Sequence, residues 1–146
     1  MSAVPRELPE WESTALLDHE TAGRLCVVDH GYPLAFPINY RLTRTTGAPR
    51  IVVRTAPSSI MGRYTGPSSL EVDHVDLLGG SAWSVIARGT LRRAIDTRDL
   101  PDTFPLVTAS RFQWLVLDVA SISGRRFSTT TATDGFFVEW QTAVSS

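Results

Sequence analysis

The stretch RTAPSS places Arg54, Thr55, Ser58 and Ser59 within six positions. A phosphate is held by a guanidinium with its parallel donors, by hydroxyls, and by N–H groups left open at a helix start. Pro57 followed by serines can open such a helical turn, so the stretch offers all three. The same residues also read as a serine N-cap beside a solvated arginine, with no ligand. A second stretch, GYPLAFPINYRL at residues 31–42, alternates like a strand. Leu34, Phe36, Ile38, Tyr40 and Leu42 share one face, yet Pro33 and Pro37 cannot donate ladder hydrogen bonds. Proline is tolerated at a strand edge or bulge, where it also protects the edge from pairing. Asn39 stands on the same face as Pro37 and carries both donors and an acceptor.

Other chemistries are closed by composition. All 14 cationic residues are arginine, so no lysine can form a Schiff base or act as a base. Cys26 is the only cysteine, which excludes an internal disulfide and a cysteine-rich metal site. Between Leu25 and Val27 in an apolar strand, it reads as buried and inert. His19, His30 and His74 each follow an aspartate, but their spacing matches no metal motif and they read as surface residues. No nucleophile elbow or Ser–His–Asp order emerges. An enzyme built on this chain would rely on a cofactor for its chemistry.

The elements that must position these residues follow from pattern. The 146 residues make one domain of 42% hydrophobic and 20% charged residues. A net charge of -1 gives no reason to expect nucleic acid. No apolar run approaches the ~20 residues of a membrane span, and the start reads as no secretory signal, so a cytoplasmic protein is expected. A helix is expected over 12–21, stopped by Gly23, and a hairpin over 24–42 around His30-Gly31-Tyr32-Pro33. Further strands are expected at RIVVRTA, SSLEVDHVD, SAWSVIARGTLRRAI and QWLVLDVASI, with a short helix within 97–112. SGRRF reads as a turn after the last of these, and residues 128–146 as a loop with a possible last strand. Residues 1–10 read as an extension. Six or so strands without a βαβ rhythm imply a mainly β antiparallel barrel or sandwich. Arg88, in mid-strand, calls for a partner, either Glu71 or Asp73 or a cofactor.

GRLCVVDHGYPLAFPINYRL, IVVRTAPSSIMG, SLEVDHVD, WSVIARGTL and ISGRRF, in this order, resemble the pyridoxamine 5′-phosphate oxidase-like family. The resemblance implies a single six-stranded split β-barrel domain that forms a homodimer, with FMN in clefts between subunits and a small-molecule substrate. It implies that Pro37, Ile38, Asn39 and Tyr40 run beside the flavin ring. Arg54, Thr55, Ser58 and Ser59 would hold the phosphate, and Trp83 and Ser84 would lie near the ring or the partner. The family usually carries a lysine where Ile60 stands; Arg63, one helical turn on, is the candidate substitute. Arg125 and Arg126 match arginines that in some members meet the substrate's anionic group or the partner chain. An FMN-dependent oxidoreductase is the leading expectation. A deazaflavin-dependent reductase, or a barrel that holds flavin or haem without catalysis, are the alternatives.

Overall fold

A computed structural model describes residues 5–44, 47–55, 64–94 and 113–128. Its elements are β1 (Arg6–Leu8), α1 (Glu10–His19), β2 (Ala22–Asp29), β3 (Tyr32–Thr43), β4 (Arg50–Thr55), β5 (Gly66–Asp76), β6 (Ser81–Arg93) and β7 (Gln113–Ser128). The strands run in the order β1-β7-β4-β3-β2-β5-β6, and β6 also pairs with β7. Six strands therefore close into an antiparallel ring, with β1 laid against the outer edge of β7. The mainly β split-barrel architecture expected from the sequence is the one found.

Alternation decides which side chains enter the ring. Leu25 and Val27 of β2, Ile38 and Tyr40 of β3, Ile51 and Val53 of β4, Leu70 and Val72 of β5 and Val85 and Ala87 of β6 face inward and are buried together. Leu115 and Leu117 of β7 complete the core, and Leu34, Phe36 and Leu42 pack against it. Leu17 of α1 is also fully buried in this cluster, so the helix plugs the barrel rather than standing outside it. Tyr40 Oη donates to the Leu17 carbonyl at 2.5 Å and ties helix to strand. Burial pushes the Tyr40 phenol well above its ordinary range and keeps it a donor.

Several local expectations are corrected. The helix begins at Glu10, after Pro9 as N-cap, and ends at His19 with Glu20 as C-cap; Gly23 lies inside β2, opposite Ile38. The hairpin turn is only His30-Gly31, because Tyr32 and Pro33 already pair as β3. SGRRF is not a turn: β7 runs through it to Ser128, pairing with β6 along most of its length. Residues 6–8, expected as part of an extension, form β1 because they pair with Gly124–Arg126. The expected helix within 97–112 and the tail beyond 128 lie outside the described residues.

β7 stays continuous across a register shift at Arg88/Gly89, where Ser121 and Val119 face successive residues of β6. Gly89 lies there because the Asp118 carbonyl occupies the space a Cβ would need. Gly89→Ala is therefore expected to lower unfolding free energy by about 1–3 kcal/mol. Urea denaturation followed by tryptophan fluorescence measures this; an unchanged midpoint would contradict the packing at the bulge.

Candidate functional site

Two parts of the surface gather groups that can bind. The first is the corner where β3 runs past the end of β4. His30 and Gly31 have φ of 50° and 81°, the two positive values of a two-residue hairpin turn. Such a turn makes Asp29 and Tyr32 a hydrogen-bonded pair and fixes the alternation from there. Even-numbered residues of β3 bond toward β2, and odd-numbered ones point their backbone groups away. The Tyr40 N–H donating to the Thr21 carbonyl at 2.9 Å has the same parity, eight residues on. Pro33 and Pro37 thus lie where β2 needs no donor.

On its other side β3 pairs with β4 only at Tyr40–Thr43. From Tyr32 to Ile38 that edge meets no strand among the described residues. β4 ends beside this edge with Arg54 and Thr55. The Arg54 guanidinium lies 5.5 Å from the centre of the Trp114 ring, a cation–π contact that orients it, and Thr55 is buried.

The expected ligand contacts divide accordingly. Pro37 is exposed and Asn39 half-buried, on the outward face of β3. The side chains of Ile38 and Tyr40 are in the core, so these two can serve a ligand only through their backbone. Ser58, Ser59, Arg63 and Ile60 lie outside the described residues. Trp83 is a core residue, its ring centre 6.4 Å from that of His74. Ser84 is half-buried on the outer face of β6. β6 lies across the ring from β3, so one chain does not bring Trp83 and Ser84 to this corner.

The second part is a groove of about 610 Å³ on the outer face of β5, β6 and β7. Its rows follow the register: Asp73, Ser84 and Arg125 lie side by side, and so do Glu71, Ile86 and Ser123. Arg24 of β2 reaches in, its Nη1 2.9 Å from Glu71 Oε2 and 3.2 Å from Asp73 Oδ2. Arg24, and not Arg88, is therefore the partner of these carboxylates. Arg126 turns to the other face of β7 and meets Glu12 of α1 at 3.6 Å, whereas Arg125 faces the groove. Cys26 is not buried as expected. It is half-exposed on the outer face, where partial desolvation pushes its thiol up and keeps it protonated. The three histidines are exposed, and no metal-binding group occurs among the described residues.

The corner suits a flavin by its donor set. A strand edge offers N–H and C=O groups to the ring heteroatoms, and the Arg54 guanidinium and Thr55 hydroxyl beside it are of the types that bind a phosphate. The sequence pattern points to these residues as candidates but not to Trp114 beneath Arg54, because the pairing of β4 with β7 joins segments about sixty residues apart. It also missed the groove. The only signal was the outward set Ser84, Ile86 and Arg88, which has meaning only once its neighbours are known.

A family model described as pyridoxamine 5′-phosphate oxidase matches residues 9–126. The chain belongs to this family. Among solved structures, this family member resembles a conserved protein of unknown function from Corynebacterium diphtheriae. The identity is 27% and the TM-score 0.72, covering 84% of this chain and 98% of that one. It also resembles an FAD-binding protein from Mycobacterium smegmatis, with 25% identity, TM-score 0.66 and coverage of 85% and 99%. An FAD-binding protein from Mesorhizobium loti, 19% identical with TM-score 0.68, covers 88% of this chain and is itself covered completely at 100%. No curated protein sequence gives a significant match. No helix among the described residues is long and apolar enough to cross a membrane.

Burial holds the Glu71 carboxyl above the ordinary range, helped by the hydrogen bond with Asp73 and partly opposed by Arg24. A carboxyl raised in the folded state contributes stability that is complete below its unfolded value, about pH 4, and is lost as pH rises through the folded one. Glu71→Gln is expected to remove this fall, so that variant and parent denaturation midpoints diverge upward from about pH 4. Parallel pH profiles would contradict the assignment.

Proposed function

We propose that this chain is a flavin-dependent oxidoreductase that binds FMN at the β3–β4 corner. The observation that carries the reading is the proline-marked edge of β3, which no strand among the described residues covers, beside Arg54 held over Trp114. The FAD-binding relative at 25% identity supports a flavin, since FMN and FAD share the ring and its first phosphate. Backbone groups of Pro37, Ile38 and Tyr40, with the Asn39 amide, would position the ring edge. Arg54 and Thr55, joined by Ser58, Ser59 and Arg63, would neutralise the phosphate. The flavin supplies hydride or electron transfer when bound. The chain's own part is orientation, charge neutralisation and exclusion of water.

The chemistry of the second substrate stays unassigned, apart from its being a small molecule. The reading includes a homodimer in which a second chain closes each corner and brings its own Trp83 and Ser84 toward the ring. That arrangement accounts for these two residues lying across the barrel from β3 within one chain.

The test is the visible spectrum of the protein as purified and again after FMN is added and the excess removed. A retained flavin spectrum is expected, and Arg54→Ala should weaken FMN binding by about tenfold or more while the fold survives. A colourless protein that releases all FMN overturns the reading, and a haem or deazaflavin spectrum replaces the cofactor. Sedimentation of the FMN-loaded protein at the mass of two chains is expected; a monomer would overturn the shared site.

A further inference from the structure

The hairpin that joins β5 to β6 carries leucines where turns ordinarily carry polar residues. The Gly79 N–H donates to Asp76 Oδ1 at 2.9 Å, which closes the turn and leaves Leu77 and Leu78 at its centre. Turn centres favour glycine, asparagine, aspartate and serine. Here the two leucines stand 68% and 91% exposed, and Val75, at 52%, continues the apolar surface behind them. A cluster of this kind marks a surface that something covers.

The chain itself passes this tip. β7 ends at Ser128, which pairs with Ser81, three residues from Leu78. Ser128 therefore lies roughly 10–15 Å from the leucines. Residues 129–146, outside the described residues, continue as the polar run TTTATD, then GFFVEW, then QTAVSS. Phe136, Phe137, Val138 and Trp140 are the most apolar stretch beyond β7, and Asp134-Gly135 before them is a turn signal. From Ser128 to Phe136 the chain reaches at most about 28 Å, enough to return to the tip through a turn. The other exposed apolar side chains are less suited. Cys26 pairs with Ser69, so Val28 and Tyr32 stand at the opposite end of the barrel, roughly 25–30 Å from Val75. Trp11 lies on the β3–β4 side, beside Arg44 and Pro49.

We propose that the C-terminal segment 136–140 returns to the β5–β6 tip of its own chain and covers Leu77 and Leu78. The short tether holds the segment at high local concentration, and burial of the leucines against aromatic rings supplies the gain. The contact caps the arm that carries Trp83 and Ser84, and it needs no flavin.

Chymotrypsin, which cleaves after aromatic residues, reads the cap at Phe136, Phe137 and Trp140. Cleavage there in the full chain is expected to be about tenfold slower than in a free peptide of residues 129–146. Leu77→Ser combined with Leu78→Ser should restore the peptide's rate, with folding checked by circular dichroism. Val28→Ser, at the other end of the barrel, is the control and should leave the rate unchanged. In the unaltered chain, nuclear Overhauser contacts are expected between the Leu77 or Leu78 methyls and the rings of Phe136, Phe137 or Trp140. Cleavage of the full chain at the peptide's rate, a folded double variant no faster than the parent, or absence of those contacts each overturns the proposal. So do contacts found only between differently labelled copies in a mixed sample, which would assign the tip to a second chain. FMN retention is read separately from its own absorbance, so the flavin reading can fail while this one stands, and the reverse.

Discussion

The two-residue turn at His30-Gly31 sets the constraint on which the rest of the candidate site depends. Because both residues take positive φ, the hairpin has one register, and that register fixes which backbone groups of β3 face β2. Shifted by one residue, the register would send Ile38 and Tyr40 out of the core and point Pro33 and Pro37 at β2, where their missing donors would break the ladder. In the observed register the prolines instead fall on the side that no described strand pairs with. The same alternation buries Tyr40, seats its hydroxyl on Leu17 and so anchors α1 in the barrel. Core packing and an edge able to receive a ligand are two faces of one strand.

The division of labour around the ring follows from strand length. β7, at sixteen residues, serves β6 on one side and both β4 and β1 on the other. Among the described residues β4 pairs with β3 only at Tyr40–Thr43, and the stretch of β3 left beyond that pairing is the corner. β2 and β5 are joined only through Arg24–Cys26 and Ser69–Glu71. The Arg24 bridge to Glu71 and Asp73 lies at this short junction. Exposed ion pairs of this kind contribute little on their own, so its main effect is to order the carboxylates that line the groove.

Much of this was legible in the sequence. Alternation in PLAFPINYRL put Leu34, Phe36, Ile38, Tyr40 and Leu42 on one face, and that face is the one turned to the core, because a period of two survives any error in boundaries. The prolines signalled an edge for the same reason. What the sequence did not carry was long-range register. Charge alone offers Arg88 the carboxylates Glu71 and Asp73, or a cofactor, as partner, yet cross-strand geometry gives both carboxylates to Arg24. SGRRF looked like a turn from its glycine and serines, but pairing with β6 kept it extended and split Arg125 and Arg126 between two faces. Cys26 was assigned inward from its apolar neighbours, whereas alternation with Leu25 and Val27 turns it out.

Backbone amide exchange along β3, with and without FMN, tests the central claim most directly. Ala35 is the residue whose N–H lies between the two prolines and points to the open edge. Saturating FMN is expected to slow exchange at Ala35 and to shift the side-chain amide of Asn39, while Leu34, Phe36 and Ile38, already bonded to β2, stay unchanged. Exchange at Ala35 that ignores FMN, with the changes appearing on β6 instead, would contradict the account and move the cofactor to the other side of the barrel.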